Sequence, residues 1–145
     1  MSIPERKAFL NSFDIVFSDC DGVVWNFYPH GPIKNVDKGI DFLRSAEKKV
    51  VFVTNNSVIH IDIHIQNFEK YGINVKPEDV IHPAKSIVEY LQRIKFNGLI
   101  YCLSGSNFQK HLTDAGFEVM NGVSFFILFL YIYLIKHYII YILAS

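Results

Sequence analysis

An excess of charge of either sign is missing from this sequence: 14 Lys and Arg balance 14 Asp and Glu over 145 residues. Without a basic surplus there is no electrostatic footprint for nucleic acid, and without an acidic block there is no solvating tail. Cysteine is scarce too. Cys20 and Cys102 are too few and too far apart for a zinc motif or a disulfide framework, and read as reduced thiols of a cytosolic protein. Met1-Ser2-Ile3-Pro4-Glu5-Arg6-Lys7 holds no apolar h-region, so no secretory signal is expected and the compartment is read as cytoplasmic. A chain of this length fits one domain that buries roughly two-thirds of its unfolded surface.

What is abundant is apolar: 50% of residues are hydrophobic and 15% aromatic, an excess concentrated after Gly122. Before that point strand and helix patterns alternate. Asp14-Ile15-Val16-Phe17-Ser18 reads as a buried strand running into Asp19-Cys20-Asp21-Gly22. A loop with Pro29, Gly31 and Pro32 follows. Asn35 is then placed to cap a helix carrying Val36, Ile40 and Leu43. Val50-Val51-Phe52-Val53 is the clearest strand, followed by Thr54-Asn55-Asn56-Ser57. From Ile59 to Gln66 isoleucines alternate with polar residues, a strand period, yet the segment runs on to Gly72, a helix terminator, so a helix is expected. An amphipathic helix (Ile87, Val88, Leu91, Ile94), a strand at Leu99–Leu103, a helix from Ser106 to Ala115 and a strand at Phe117-Glu118-Val119 complete the pattern. Repeated βα units predict an α/β fold with a parallel sheet, helices on its faces and ligands at the C-terminal strand edge.

Two carboxylates at i and i+2, directly after a strand, can share one crevice if the backbone turns, and Gly22 permits that turn. One can attack phosphorus to form an aspartyl-phosphate, and the other can protonate the leaving oxygen and later activate water. A magnesium ion would offset the repulsion between these carboxylates and an anionic substrate. Alone, Asp-x-Asp-Gly also fits a solvated turn; a calcium loop is excluded by Val23-Val24-Trp25-Asn26-Phe27, which lacks the further acidic ligands. Thr54-Asn55-Asn56-Ser57 adds a hydroxyl and backbone N–H groups at a second strand end, a set suited to phosphoryl oxygens, although in isolation it also fits an ordinary turn.

Together these segments, Phe13 to Trp25 and Val51 to Ser57, resemble the haloacid dehalogenase superfamily, and within it the capped 4-nitrophenylphosphatase and phosphoglycolate phosphatase group. The likeness runs from about Phe13 to Gly122. It implies a Rossmann-like core, here partial, and a magnesium-dependent phosphatase of small phosphate monoesters. Asp19 is implied as nucleophile and metal ligand, and Asp21 as general acid/base with its backbone carbonyl on the metal. Thr54 and Asn55 are implied to hold the phosphoryl group, with Cys20 and Gly22 in the same phosphate-binding set. Gly22 to Trp25 would lead into a flap, with Trp25 packing there. Full-length relatives are expected to use cap surfaces for homodimer formation.

The resemblance also implies a lysine and an aspartate pair downstream of a cap. The sequence contains no Asp-Asp pair, and Lys85, Lys95 and Lys110 do not lie in the lysine's context. The expectation is therefore a core whose cap and C-terminal strands are missing (residues 1–122). A catalytically inactive isoform is the alternative to an active phosphatase. Residues 123–145 form an apolar tail, with Phe125 to Ile135 unbroken and Lys136-His137 interrupting it. It is read as translated non-coding sequence; the alternatives are a membrane anchor over 123–143 and a substitute element covering exposed core. His60 and His64, four apart, would share one helix face. A metal site there would need a third ligand, and a solvated face is the preferred reading.

Overall fold

The computed structural model describes residues 1–26, 31–121 and 140–142. These divide into two compact units, one of Met1–Thr54 with Asp62–Ile81, the other of Asn55–Ile61 with the chain from His82 onward.

The first unit opens with helix α1 (Ile3–Leu10), started by a capping box in which Ser2 and Glu5 satisfy each other's backbone N–H groups. Strand β1 (Ile15–Asp19) follows, then a small antiparallel pair, β2 (Trp25–Asn26) with β3 (Gly31–Pro32). Helix α2 (Val36–Ser45), strand β4 (Lys49–Val53), helix α3 (Ile61–Lys70) and strand β5 (Val80–Ile81) complete it. The sheet is parallel in the order β1-β4-β5, as βα repetition requires. Its core is Val50, Val51, Phe52, Phe68, Ile73, Val75 and Val80, all buried.

β1 is not the buried strand the sequence predicts. It lies at the sheet edge, and its period-two alternation leaves Ile15 48% and Phe17 66% exposed. Asp19 stands on that same open face. Asn35 takes the position before α2 without capping it: φ is +63° and its side chain makes no capping hydrogen bond. Asparagine tolerates that left-handed geometry, which a β-branched residue would not.

The second unit contains α4 (Pro83–Arg93), β6 (Ile100–Cys102), α5 (Ser106–Asp114), β7 (Val119–Asn121) and β8 (Ile140–Ile142), with strand order β7-β6-β8, all parallel. Ala84, Leu91, Ile100, Cys102, Phe108 and Leu112 form its core. β7 starts two residues later than the sequence predicts. Gly116 (φ +87°) ends α5 with Phe117 donating back to the Leu112 carbonyl at 3.1 Å, so Phe117 closes the helix instead of opening the strand.

Of the apolar tail only β8 is described; the rest of 123–145, on which the read-through, anchor and substitute-element readings turn, lies outside the described residues. Among the described residues no helix is long and apolar enough to cross a membrane.

Candidate active site

Register builds the site in the first unit. β1 pairs with β4 so that Asp19 stands opposite Val53, which sets the Asp19-Cys20-Asp21 turn and Thr54 at the same C-terminal edge of the sheet. The turn after Asp19 is closed by one carbonyl: that of Cys20 accepts the N–H groups of Val23 (3.3 Å), Val24 (2.8 Å) and Trp25 (3.2 Å). Gly22, at φ +80°, donates its N–H to the Trp25 carbonyl at 2.8 Å, a conformation strained for any residue with a Cβ. These bonds form the bridge between Asp21 and Trp25 without using the Asp21 carbonyl.

Each carboxylate has one oxygen engaged. Asp19 Oδ1 accepts the Cys20 N–H at 2.8 Å, and Asp21 Oδ1 accepts the Trp25 indole N–H at 2.7 Å. Asp19 is exposed and Asp21 half-buried. The Oδ2 atoms are therefore the ones free to attack or to carry a proton. Trp25 was expected only to pack. It does pack, against Phe68 (centroids 4.9 Å) and His64 (5.8 Å), but its bond to Asp21 depends on a loop closure that no spacing rule announces.

Cys20, between the two aspartates, is fully buried. Burial pushes its thiol up to about 12, reinforced by the negative charges of Asp21 and Asp19. It therefore enters the site as backbone, its N–H on Asp19 and its carbonyl holding the turn. A raised thiol favours the folded state while the thiol is protonated; that stability is fully present below pH ~9 and is lost as pH rises toward 12. Titration with a chromogenic disulfide at pH 8 is expected to find no rapidly reacting thiol at Cys20 in the native protein, and urea melts are expected to weaken above pH ~9.

Thr54 is buried, with its N–H donating to the Ile81 carbonyl at 3.0 Å. Asn55 follows it in the chain and is exposed; it belongs to the second unit. There Asn56 Oδ1 accepts the Val58 N–H at 3.0 Å, and the Val58 carbonyl accepts from Asn107 Nδ2 at 2.8 Å.

The histidines correct the solvated-face reading. α3 begins at Ile61, so His60 precedes the helix, while His64 is fully buried and stacks on Trp25. His60 stacks on His111 instead (centroids 3.7 Å, planes 3° apart). Among the described residues no group of three or more His, Cys, Asp or Glu could hold a metal ion.

The sequence profile of the haloacid dehalogenase-like hydrolases matches residues 16–118, from β1 to the end of the segment before β7. The chain belongs to this family. Phosphoglycolate phosphatase 1A, chloroplastic, of Arabidopsis thaliana is 33% identical over 122 residues, 83% of this chain and 33% of that protein. A 4-nitrophenylphosphatase of Schizosaccharomyces pombe is 33% identical over 90 residues, 62% of this chain and 30% of that protein. The chain thus spans about a third of the length of these curated relatives. The crystal structure of a Mycobacterium tuberculosis glycerol phosphate phosphatase in complex with magnesium superposes with a TM-score of 0.61 at 20% identity, covering 77% of this chain and 33% of that one. That likeness shows the shared fold. The Asp19 turn and Thr54 both lie within the matched residues.

Proposed function

We propose that this haloacid dehalogenase-like hydrolase cleaves small phosphate monoesters through an aspartyl-phosphate on Asp19. The observation that carries the reading is the register Asp19 to Val53, which brings a carboxylate pair and Thr54 to one sheet edge. The names of the curated relatives, a phosphoglycolate phosphatase and a 4-nitrophenylphosphatase, support an ester of that class as substrate.

In this reading Asp19 Oδ2 attacks phosphorus while Oδ1 stays on the Cys20 N–H, which fixes the direction of the attacking lone pair. As the ester P–O bond breaks, its electron pair goes to the leaving oxygen, which takes the Asp21 proton. Water then attacks phosphorus, returns a proton to Asp21 and frees Asp19. The Thr54 hydroxyl would hold phosphoryl oxygens, with the turn from Cys20 to Gly22 at the same sheet edge.

The donors present fit magnesium. They are hard oxygens, and none of the hydrogen bonds that close the turn uses the Asp21 carbonyl. Asp19 and that carbonyl would hold the ion, with water and phosphate oxygens completing its shell. When bound, it supplies positive charge against the negative charge developing on phosphorus. The magnesium complex of the M. tuberculosis protein supports that choice.

The test is hydrolysis of p-nitrophenyl phosphate and 2-phosphoglycolate by the purified chain, with trapping of an alkali-labile phosphoenzyme. Turnover is expected with magnesium, is lost on addition of EDTA and returns when magnesium is restored in excess. Failure to hydrolyse either ester or to form a phosphoenzyme at saturating magnesium would sink the reading.

A further inference from the structure

The Asp-x-Asp turn does not stand alone: it is fastened to helix α3 through one side chain. Trp25 is 6% exposed and packs edge-on to Phe68, lies stacked on His64 and is tilted against Tyr71 (centroids 6.3 Å). Its backbone is held from both sides, its N–H on the Cys20 carbonyl and its carbonyl on the Gly22 N–H. From this fixed platform its indole N–H reaches Asp21 Oδ1 at 2.7 Å.

An indole nitrogen donates one hydrogen bond and accepts none. While that bond is made, Oδ1 cannot also present a proton toward the indole, so a proton taken up by Asp21 goes to Oδ2. A carboxyl group free to rotate would present either oxygen to the substrate, and half of its orientations would aim the proton away from the leaving group.

We propose that Trp25 is the positioning residue for the general acid of this site: its indole N–H occupies Asp21 Oδ1 and so assigns the transferable proton to Oδ2. This rests on the phosphatase reading above. The proton on Oδ2 passes to the leaving oxygen as the P–O bond breaks, and Oδ2 takes a proton from the attacking water in the second half. Oδ1 keeps its bond to Trp25 throughout.

Leaving-group dependence tests this. Trp25→Phe keeps a ring against Phe68 and removes the N–H together with part of the indole. An alkyl phosphate such as 2-phosphoglycolate has a poor leaving group that needs its proton, whereas p-nitrophenolate departs with little help. Trp25→Phe is therefore expected to lower kcat on the alkyl ester about 10- to 100-fold, with KM little changed and the first step with p-nitrophenyl phosphate, read as the burst of p-nitrophenolate, held within about twofold. A merely structural role would lower both equally, and that result would overturn the proposal while leaving the phosphatase reading intact.

A second measurement needs no turnover and no Trp25 variant. Trp25 is the single tryptophan of the chain, so its emission reports on this one indole. At neutral pH the emission of the wild-type chain is expected to differ from that of Asp21→Asn, in which an uncharged amide stands where the indole N–H meets Oδ1 at 2.7 Å. Asp114→Asn, a carboxylate change on α5, is the control and should leave the emission unchanged. Identical emission from the wild type and Asp21→Asn would break the link between indole and carboxylate even in a chain with no measurable activity.

Discussion

Asp19→Asn is expected to lower phosphate monoester hydrolysis by about 10³-fold or more and to abolish the trapped phosphoenzyme. The substitution is close to isosteric. Its amide oxygen can still accept the Cys20 N–H that Asp19 Oδ1 accepts at 2.8 Å, so the turn keeps its closure. What is lost is the anionic oxygen with a lone pair aimed at phosphorus. An amide in that place neither attacks nor contributes negative charge to a metal site.

Asp21→Asn separates the two roles by its different signature. It leaves the nucleophile in place and removes the proton carrier, so alkyl phosphate turnover should fall by about 10²–10⁴. With p-nitrophenyl phosphate the first step needs little acid, while the second still needs a base to activate water. The phosphoenzyme is therefore expected to accumulate in Asp21→Asn and to be absent from Asp19→Asn. Rapid-quench trapping with radiolabelled substrate reads both. A phosphoenzyme that forms normally in Asp19→Asn would remove that residue from the chemistry.

Much of this geometry was legible in the residues, and the parts that were not share a cause. The elements stood out where a period or a terminator marked them: β4 as a β-branched run, α3 and α5 by Gly72 and Gly116. Yet α2 and α4 end in the same way, with Glu47 (φ +60°) and Lys95 (φ +53°) in the left-handed conformation and the next residue donating back to Leu43 and Leu91. Nothing in a Glu or a Lys announces that role, because the hydrogen bonds of the motif are between backbone groups. α3 was ambiguous for a related reason: its isoleucines alternate, while the positions it buries, His64 and Phe68, lie four apart.

The site divides along the same line. Asp19 and Thr54 could be found as polar residues ending apolar strands, and the family resemblance agreed. That they end at the same level is a matter of pairing register, which a single strand's sequence does not contain. The Trp25 to Asp21 bond was out of reach because it depends on where the turn returns the chain. His64 was misread because a histidine counts as polar in any periodicity, while its ring can be buried whole against an indole. In each case the missing information was tertiary, and for Trp25 and His64 it lies in aromatic packing around one helix.

That packing carries the second large effect. Phe68→Ala is expected to destabilise the first unit by about 3–5 kcal/mol, the usual cost of removing a buried Phe side chain and leaving a cavity. Phe68 is fully buried, with its ring 4.4 Å from that of Phe52 on β4 and 4.9 Å from Trp25. It is the wedge that α3 sets between Phe52 on the central strand and Trp25 beside the Asp19-Cys20-Asp21 turn, so neither neighbour can move in to fill its place without disturbing the other. Against a typical total stability of ~5–15 kcal/mol, the loss is large enough to populate unfolded protein at modest urea. Phe42→Ala on α2, where the side chain is 59% exposed, is the matched control and should change stability by less than about 0.5 kcal/mol. Urea melts followed by the emission of Trp25 measure both, since the only tryptophan sits against the substituted ring. A cost below about 1 kcal/mol for Phe68→Ala would show that the site collapses readily and that the platform under Trp25 is not rigid. With the expected cost, alkyl phosphate turnover should fall along with stability, because the indole that orients Asp21 loses the surface it rests on.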